Sequence, residues 1–224
     1  MEPYYTFHHE LINLKKKLMH LSTMVEERVR TATSVISSRD EETIQNLILT
    51  DYEIDEMEVE IEEDCLKILA LHQPVASDLR FIITVIKINN EIERIADMAV
   101  SIAIRVQTIT ECVDGCEVEG GNWIYDYSEM SEKVITMLRM SLDALVNRDT
   151  ALARKVFLLD DDVDNILKDS YDRVREKIRK TPEHPGCLIN VYLLARHLER
   201  IGDRATNIAE EVIHLVEGTI VRCP

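Results

Sequence analysis

Four carboxylates in two short motifs are the residues of this chain whose types and spacing could do chemistry. Glu93 and Asp97 stand four residues apart, and Glu199 and Asp203 repeat the pair later in the chain. Residues four apart in a helix share one face, where like charges repel each other. On helical wheels both pairs also share a stripe with core-type aliphatic residues. Such carboxylates need protons or cations as compensation, and hard cations such as Mg²⁺, Ca²⁺, Mn²⁺ or iron take all-oxygen shells.

Two further acidic stripes stand on helices that we expect to neighbour these motifs. In the first half of the chain, a single stripe is formed by Asp51, Asp55, Glu58 and Glu62. The second half keeps Asp160 and Asp164 at the repeated positions but has Leu167 and Tyr171 in place of the two glutamates. The sequence therefore predicts a cation site in the first half and a smaller or weaker one in the second.

A solvated surface is the alternative interpretation of these stripes, with the carboxylates paired to the nearby Arg94 and Arg200. For any one stripe this alternative is favoured. Recurrence of the same pair in both halves, beside apolar residues, favours the cation site instead.

Long helices must position these residues. The chain has 224 residues with only 6 Gly and 5 Pro, too few turn residues for the closely spaced strands of an all-β fold. All but Gly202 fall between long periodic stretches. We therefore predict an all-α protein with six helices, at about 5–37, 40–72, 75–110, 128–146, 149–181 and 187–217.

An internal duplication organises these helices. Residues 51–55 resemble residues 160–164, at a displacement of 109, and residues 93–97 resemble residues 199–203, at a displacement of 106. Matches in two helices of each half, in the same order, indicate a tandem repeat of a three-helix unit. We predict two pseudo-symmetric three-helix bundles, with a first repeat at 1–112, a connecting segment at 113–127 and a second repeat at 128–224.

Charge and composition exclude several functions. The net charge of −16 argues against nucleic acid as the main partner, because such binding needs Lys and Arg against phosphates. The chain has no apolar run long enough to span a membrane, and its N-terminus does not resemble a signal peptide. Five scattered cysteines indicate reduced thiols in a cytosol.

Motifs for enzymatic chemistry are absent from the sequence: we find no phosphate-binding glycine loop and no nucleophile motif. The rival class is a metal-storage or redox carboxylate bundle. Glu211-x-x-His214 has the spacing of a di-iron ligand pair, but that chemistry uses two such pairs, and this one points away from Glu199. A third interpretation is a structural adaptor that binds no metal. We expect no enzyme.

Two long segments resemble the signature helices of the PhoU family, which comprises phosphate-transport accessory and regulatory proteins. The segments are HQPVASDLRFIITVIKINNEIERIADMAVSIA at 72–103 and ARHLERIGDRATNIAEEV at 195–212. Members of that family are duplicated three-helix bundles with an E(D)xxxD motif in each half. The resemblance covers essentially the whole chain. One departure is Ala96, where the motif commonly has glycine; its repeat partner Gly202 would let neighbouring helices approach closely.

The resemblance implies a function and partners. It implies a cytoplasmic homodimer, peripheral at the inner membrane through its partners, that negatively regulates phosphate uptake and the phosphate regulon. The implied partners are the ATPase subunit of the phosphate ABC transporter and the sensor histidine kinase of the regulon. The implied cofactors are divalent or ferric ions, such as iron, zinc, manganese, magnesium or calcium. By motif match, Glu93, Asp97, Glu199 and Asp203 inherit the ligand role, and the facing stripes supply Asp51, Asp55, Glu58, Glu62, Asp160 and Asp164.

Overall fold

The computed structural model describes residues 2–111, 117–118, 122–123, 125–180, 182 and 185–222, and the architecture of these residues is helical. The first half contains α1 (Glu2–Ser38), α2 (Glu41–Leu49), α3 (Tyr52–His72) and α4 (Ala76–Glu111). The second half contains α5 (Ser128–Asn147), α6 (Thr150–Lys180) and α7 (Pro185–Glu217). At 1.5 Å per residue, α1 is about 55 Å long. The prediction of an all-α tandem bundle is confirmed.

One difference from the predicted helices lies at Thr50 and Asp51. The expected helix at 40–72 is interrupted there and forms α2 and α3. The buried Arg28 of α1 lies at the break, where its guanidinium donates to Thr50 Oγ1 at 2.7 Å and to Asp51 Oδ1 at 2.5 Å. Upstream, Asp40 caps α2 by accepting a hydrogen bond from the Thr43 backbone amide at 2.9 Å, which satisfies one free N–H of the first turn.

The duplication is visible in the backbone. Arg39 follows α1 with φ of 54°, and Arg148, displaced by 109 residues, follows α5 with φ of 53°. The same left-handed residue therefore ends the first helix of each half. The two motif helices, α4 and α7, pack against each other antiparallel in the middle of the molecule. Their buried faces carry a continuous row of aliphatic side chains, including Ile88, Ile95 and Ile102 from α4.

The connecting segment contains a short antiparallel pair, β1 (Glu117–Val118) and β2 (Asn122–Trp123), in which Val118 lies opposite Asn122. Most of the connecting segment lies outside the described residues. Cys187, at the start of α7, is disulfide-bonded, so the expectation of reduced thiols is wrong for this residue. Cys65 is a free and buried thiol. Among the described residues, we find no helix with the length and apolar character that crossing a membrane requires.

Candidate functional site

The first-half motif lies on the α4 face that meets α3. Burial raises the pKa of Glu93 to about 7, and the negative charges of Asp97, Glu58 and Asp55 add to the rise. The pKa of Asp97 is also raised, first by partial burial and then by Asp55. The structure therefore brings carboxylates of α3 and α4 together as the sequence predicts, at a distance over which their charges repel.

Among the residues that the structure describes, Asp51 is the carboxylate of this cluster that pairs with a buried cationic side chain. Its ion pair with Arg28 joins the start of α3 to α1. Burial nevertheless raises the pKa of Asp51, with further increases from Asp55 and Asp97 that oppose the effect of Arg28. Asp51 therefore belongs electrostatically to the cluster, although its ion pair neutralises much of its charge.

Glu58 and Glu62 occupy the far end of the acidic stripe of α3. The amide of Asn89 in α4 donates to the Glu58 backbone carbonyl at 2.8 Å and to Glu58 Oε1 at 3.3 Å. Asn89 is buried and its Oδ1 has no hydrogen-bond partner. Burial raises the pKa of Glu58, and the charge of Glu62 adds to this. Glu62 itself is exposed and, together with Glu58, lines the groove between α3, α4 and α7.

The second-half motif repeats this pattern on α7 against α6. Burial raises the pKa of Glu199 to about 7, and the charges of Asp203, Asp164 and Asp160 contribute. The pKa of Asp203 is raised chiefly by burial and also by Asp164. Glu199 Oε2 is buried without a hydrogen-bond partner, while Oε1 lies 3.6 Å from the Arg196 guanidinium. All four predicted carboxylates of this half therefore share one site.

The second half differs from the first where the sequence departs from strict repetition. Leu167 and Tyr171 stand at the positions of Glu58 and Glu62, and the Tyr171 ring packs edge-on against Tyr192 at 5.6 Å between centroids. Met137 stands where the first half has Arg28. This half therefore has fewer carboxylates and lacks the buried arginine.

Gly202 lies beside this second site. A Cβ atom added there would lie 3.4 Å from Met137 Cε and 3.8 Å from Asp160 Oδ1. These are ordinary van der Waals distances, so the position would accept an alanine, as Ala96 does in the first half. The close approach of α5 and α6 to α7 explains why a small residue stands here.

A polar groove of about 510 Å³ separates α3 from α7 across α4. Lys87 of α4 donates to Glu211 of α7 at 2.8 Å. Glu91 of α4 accepts from Arg204 at 3.2 Å and from Asn207 at 3.1 Å. These bonds join the two motif helices, and therefore the two halves of the protein.

The Glu211-x-x-His214 pair forms no metal site among the described residues. His214 Nδ1 lies 3.9 Å from Glu211 Oε2, but the other oxygen of Glu211 is engaged by Lys87. His197, also on α7, is half-buried, and its two buried ring nitrogens have no hydrogen-bond partner among the described residues. Burial lowers the pKa of His197 to about 4, with the charges of Arg105 and Arg200 adding to the effect. Neither histidine joins the carboxylates of the motifs.

Hard cations fit the donor chemistry of both acidic sites. The donors are carboxylate oxygens. Burial and neighbouring carboxylates raise the pKa values of Glu93, Asp97, Glu199 and Asp203, and Glu199 Oε2 has no hydrogen-bond partner among the described residues. Within the described part of the chain, however, no three His, Cys, Asp or Glu side chains are gathered closely enough to hold one ion. A bound cation would therefore have to draw the carboxylates together.

Sequence reasoning missed several polar residues around these sites. Arg28 lies in α1 and is separated from Asp51 in the sequence by helix α2. Because the repeat partner of Arg28 is Met137, no repeated pattern marks this arginine. Asn89 falls on the Glu93 stripe, but an asparagine among aliphatic residues does not by itself reveal a bond to Glu58. Both residues depend on how neighbouring helices pack, which the periodicity of a single helix does not contain.

These observations define a class: a duplicated three-helix-bundle protein with an acidic helix pair in each half and no assembled catalytic group among the described residues. The PhoU domain family matches the chain twice, at residues 18–106 and 127–212. The chain belongs to the PhoU family.

Individual relatives cover nearly the full chain. Our chain is 35% identical over 216 residues to a phosphate-specific transport system accessory protein PhoU homolog of Pseudomonas putida. The matched region covers 96% of this chain and 82% of that homolog. The homolog of Clostridium acetobutylicum is 32% identical, with coverage of 95% and 94%. The crystal structure of PhoU from Pseudomonas aeruginosa superposes with a TM-score of 0.87 at 34% identity, covering 95% of this chain and all of that chain. These relatives are named as accessory proteins, in agreement with the expectation that the chain is not an enzyme.

Proposed function

We propose that this protein is an accessory protein of a phosphate-specific transport system that restrains phosphate uptake when phosphate is plentiful. In this proposal it acts on the ATPase subunit of the transporter and on the sensor histidine kinase of the phosphate regulon, as a cytoplasmic homodimer that reaches the membrane through these partners. Membership of the PhoU family and the names of its relatives support the proposal.

The site that we assign to this function is the acidic helix pair of each half. Glu93 and Asp97, with Asp55 and Glu58 facing them, would hold cations in the first half. In the second half the ligands would be Glu199, Asp203, Asp160 and Asp164. The cation would supply positive charge that offsets the repulsion between the carboxylates.

The chain's own residues determine what that charge changes. Without a cation, the helix pair α3 and α4 and the helix pair α6 and α7 each bring repelling carboxylates together. Protonation near neutral pH relieves only part of the energetic cost of this repulsion. With a cation, both helix pairs are drawn together, and α4 and α7 transmit the change because they are joined across the middle of the molecule. The observation that carries the proposal is the same desolvated carboxylate pair, with a pKa raised to about 7 at Glu93 and at Glu199, in both halves.

A test in cells compares the deletion strain, the wild type and the variant Glu93→Gln/Asp97→Asn at high phosphate. Phosphate uptake and a reporter of the phosphate regulon are measured together. We expect the deletion to raise both, and the variant to raise the reporter while remaining folded. The matched control is Glu129→Gln/Glu132→Gln, which removes two carboxylates from the exposed surface of α5 and should behave as the wild type. A deletion strain with normal uptake and normal reporter activity would overturn the proposed function.

Interaction with the named partners is tested separately. We expect the purified ATPase subunit and the cytoplasmic part of the kinase each to retain the wild-type protein on an affinity column. Light scattering of the protein alone should give the mass of a dimer. Retention of neither partner would contradict the adaptor role, whatever the oligomeric state.

A further inference from the structure

An apolar stripe runs along the outer face of α3. Tyr52, Val59 and Leu66 are spaced seven residues apart, so they line up on one face of the helix. Their exposed fractions are 56%, 50% and 55%. The opposite face of α3, which carries the buried Ile54, Ile61, Cys65 and Ile68, packs into the core of the first half. The stripe therefore contributes little to the packing of the bundle.

The duplicated helix shows that the fold does not require apolar residues here. Displacement by 109 residues places Asp161, Lys168 and Arg175 of α6 at the positions of the stripe, and all three are exposed. The register is the same, because Val163 of α6 is buried like Ile54 of α3. Two helices with the same packing role thus carry a polar outer face in one half and an apolar one in the other.

Carboxylates border the stripe on both sides. Asp55 and Glu62 follow one edge and Glu56 and Glu63 follow the other, each within about 60° of the stripe on a helical wheel. All four are exposed, and α3 contains no lysine or arginine between Tyr52 and Leu66. The described part of the chain offers these four side chains no ion pair. An apolar ridge with acidic borders results.

We propose that the outer face of α3 is a docking surface for an amphipathic helix of a partner protein. The partner helix carries its own apolar stripe, and lysines or arginines border that stripe on both sides. Charge complementarity identifies the partner, because only basic borders would match both acidic edges. A second copy of this face would bring like charges together, and anionic lipid would be repelled. The heptad spacing over 15 residues corresponds to about four helical turns, which suits a helix lying along α3.

This inference extends the adaptor role but does not depend on phosphate regulation or on bound metal. It can therefore be tested with purified protein in a chelating buffer. The probe is a labelled synthetic helix of about 18 residues with leucines in heptad spacing and lysines beside them. A second probe has glutamates in place of the lysines. Binding is followed by fluorescence anisotropy, and helix formation by circular dichroism.

We expect the basic probe to bind and the acidic probe not to bind. Val59→Gln/Leu66→Gln should weaken binding by about tenfold or more, because it removes the centre of the apolar contact. Glu56→Gln/Glu63→Gln, which spares the candidate cation ligands, should weaken binding and reduce its dependence on salt. Leu158→Gln is the matched control, since it removes an exposed leucine from α6 and should leave binding unchanged.

Three results would overturn the proposal. Equal binding of the basic probe by wild type and Val59→Gln/Leu66→Gln would mean that the probe attaches through charge alone. A change in oligomeric state caused by that variant would assign the face to a second copy of the chain. Loss of binding to anionic vesicles in the same variant would assign the face to a membrane surface.

Discussion

Glu199→Gln is the substitution that most clearly isolates carboxylate repulsion in this protein. Its side chain is 12% exposed, one of its oxygens has no hydrogen-bond partner, and three aspartates raise its pKa further after burial. Glutamine keeps the shape of the side chain and removes the charge. We therefore expect the variant to be more stable than the wild type in a metal-free buffer.

The sign and size of the effect follow from the pKa. The folded state raises the pKa from 4.5 to about 7, so the cost in stability is absent well below pH 4.5, grows as the pH rises from 4.5 to 7, and is complete above pH 7. At about 1.36 kcal/mol per pKa unit the cost approaches about 3 kcal/mol. Loss of the exposed contact with Arg196 offsets a fraction of the gain. We expect Glu199→Gln to stabilise the protein by about 2 kcal/mol at pH 8, with no gain at pH 4.

Urea unfolding in chelating buffer at pH 4, 6 and 8 measures this difference. The control is Glu132→Gln, which removes an exposed carboxylate of α5 and should change the free energy of unfolding by less than about 0.5 kcal/mol at each pH. The reasoning is refuted if Glu199→Gln is no more stable than the wild type at pH 8. It is equally refuted if the gain is the same at pH 4 and pH 8.

Three further substitutions test other contacts by urea unfolding. Arg28→Met introduces the residue type that the second half has at the repeated position, Met137, and should lower the free energy of unfolding by about 2 to 3 kcal/mol, because Asp51 loses its partner. Adding Asp51→Asn to this variant should restore most of the lost stability. No recovery in the double variant would contradict the ion-pair explanation. Gly202→Ala should raise the free energy of unfolding by about 0.5 to 1 kcal/mol, because alanine has the higher helix propensity and its Cβ would meet Met137 at an ordinary van der Waals distance. A lower free energy of unfolding would mean that the helices pack too tightly there for a methyl group. His197→Leu should make the protein less sensitive to acid. The pKa of His197 is about 4 in the folded protein, so the wild type loses stability as the pH falls from 6.5 towards 4, by about 1 to 2 kcal/mol at pH 5. A variant with the same pH profile of stability as the wild type would refute this.

Much of the fold was predictable because its signals are local and repeated. Scarce glycine and proline and the two displaced motifs predict long helices and their duplication. The break at Thr50 was not predictable from helix periodicity, which also does not show that Arg28 of another helix binds Thr50 and Asp51 there.

The acidic sites were predictable in composition but not in geometry. Spacing alone places Glu93 on one face with Asp97, and the repeat predicts that α3 or α6 faces each motif. Which carboxylates come close depends on where the helices meet along their length: Asp55 acts on Glu93 and Asp97, whereas Glu62, seven residues further along the same face, acts on Glu58. The bond between Asn89 and Glu58 likewise requires two helices in contact, which a single-helix pattern does not describe.

Metal content of the untagged protein, measured by mass spectrometry together with the unfolding temperature, tests the central proposal most directly. The comparison includes Glu93→Gln/Asp97→Asn and Glu199→Gln/Asp203→Asn. If each half holds cations on its own motif, the wild type carries bound metal, each variant loses the share of one half, and chelation lowers the unfolding temperature of the wild type. A metal-free wild type whose variants are equally or more stable, with or without added metal, would contradict the proposal.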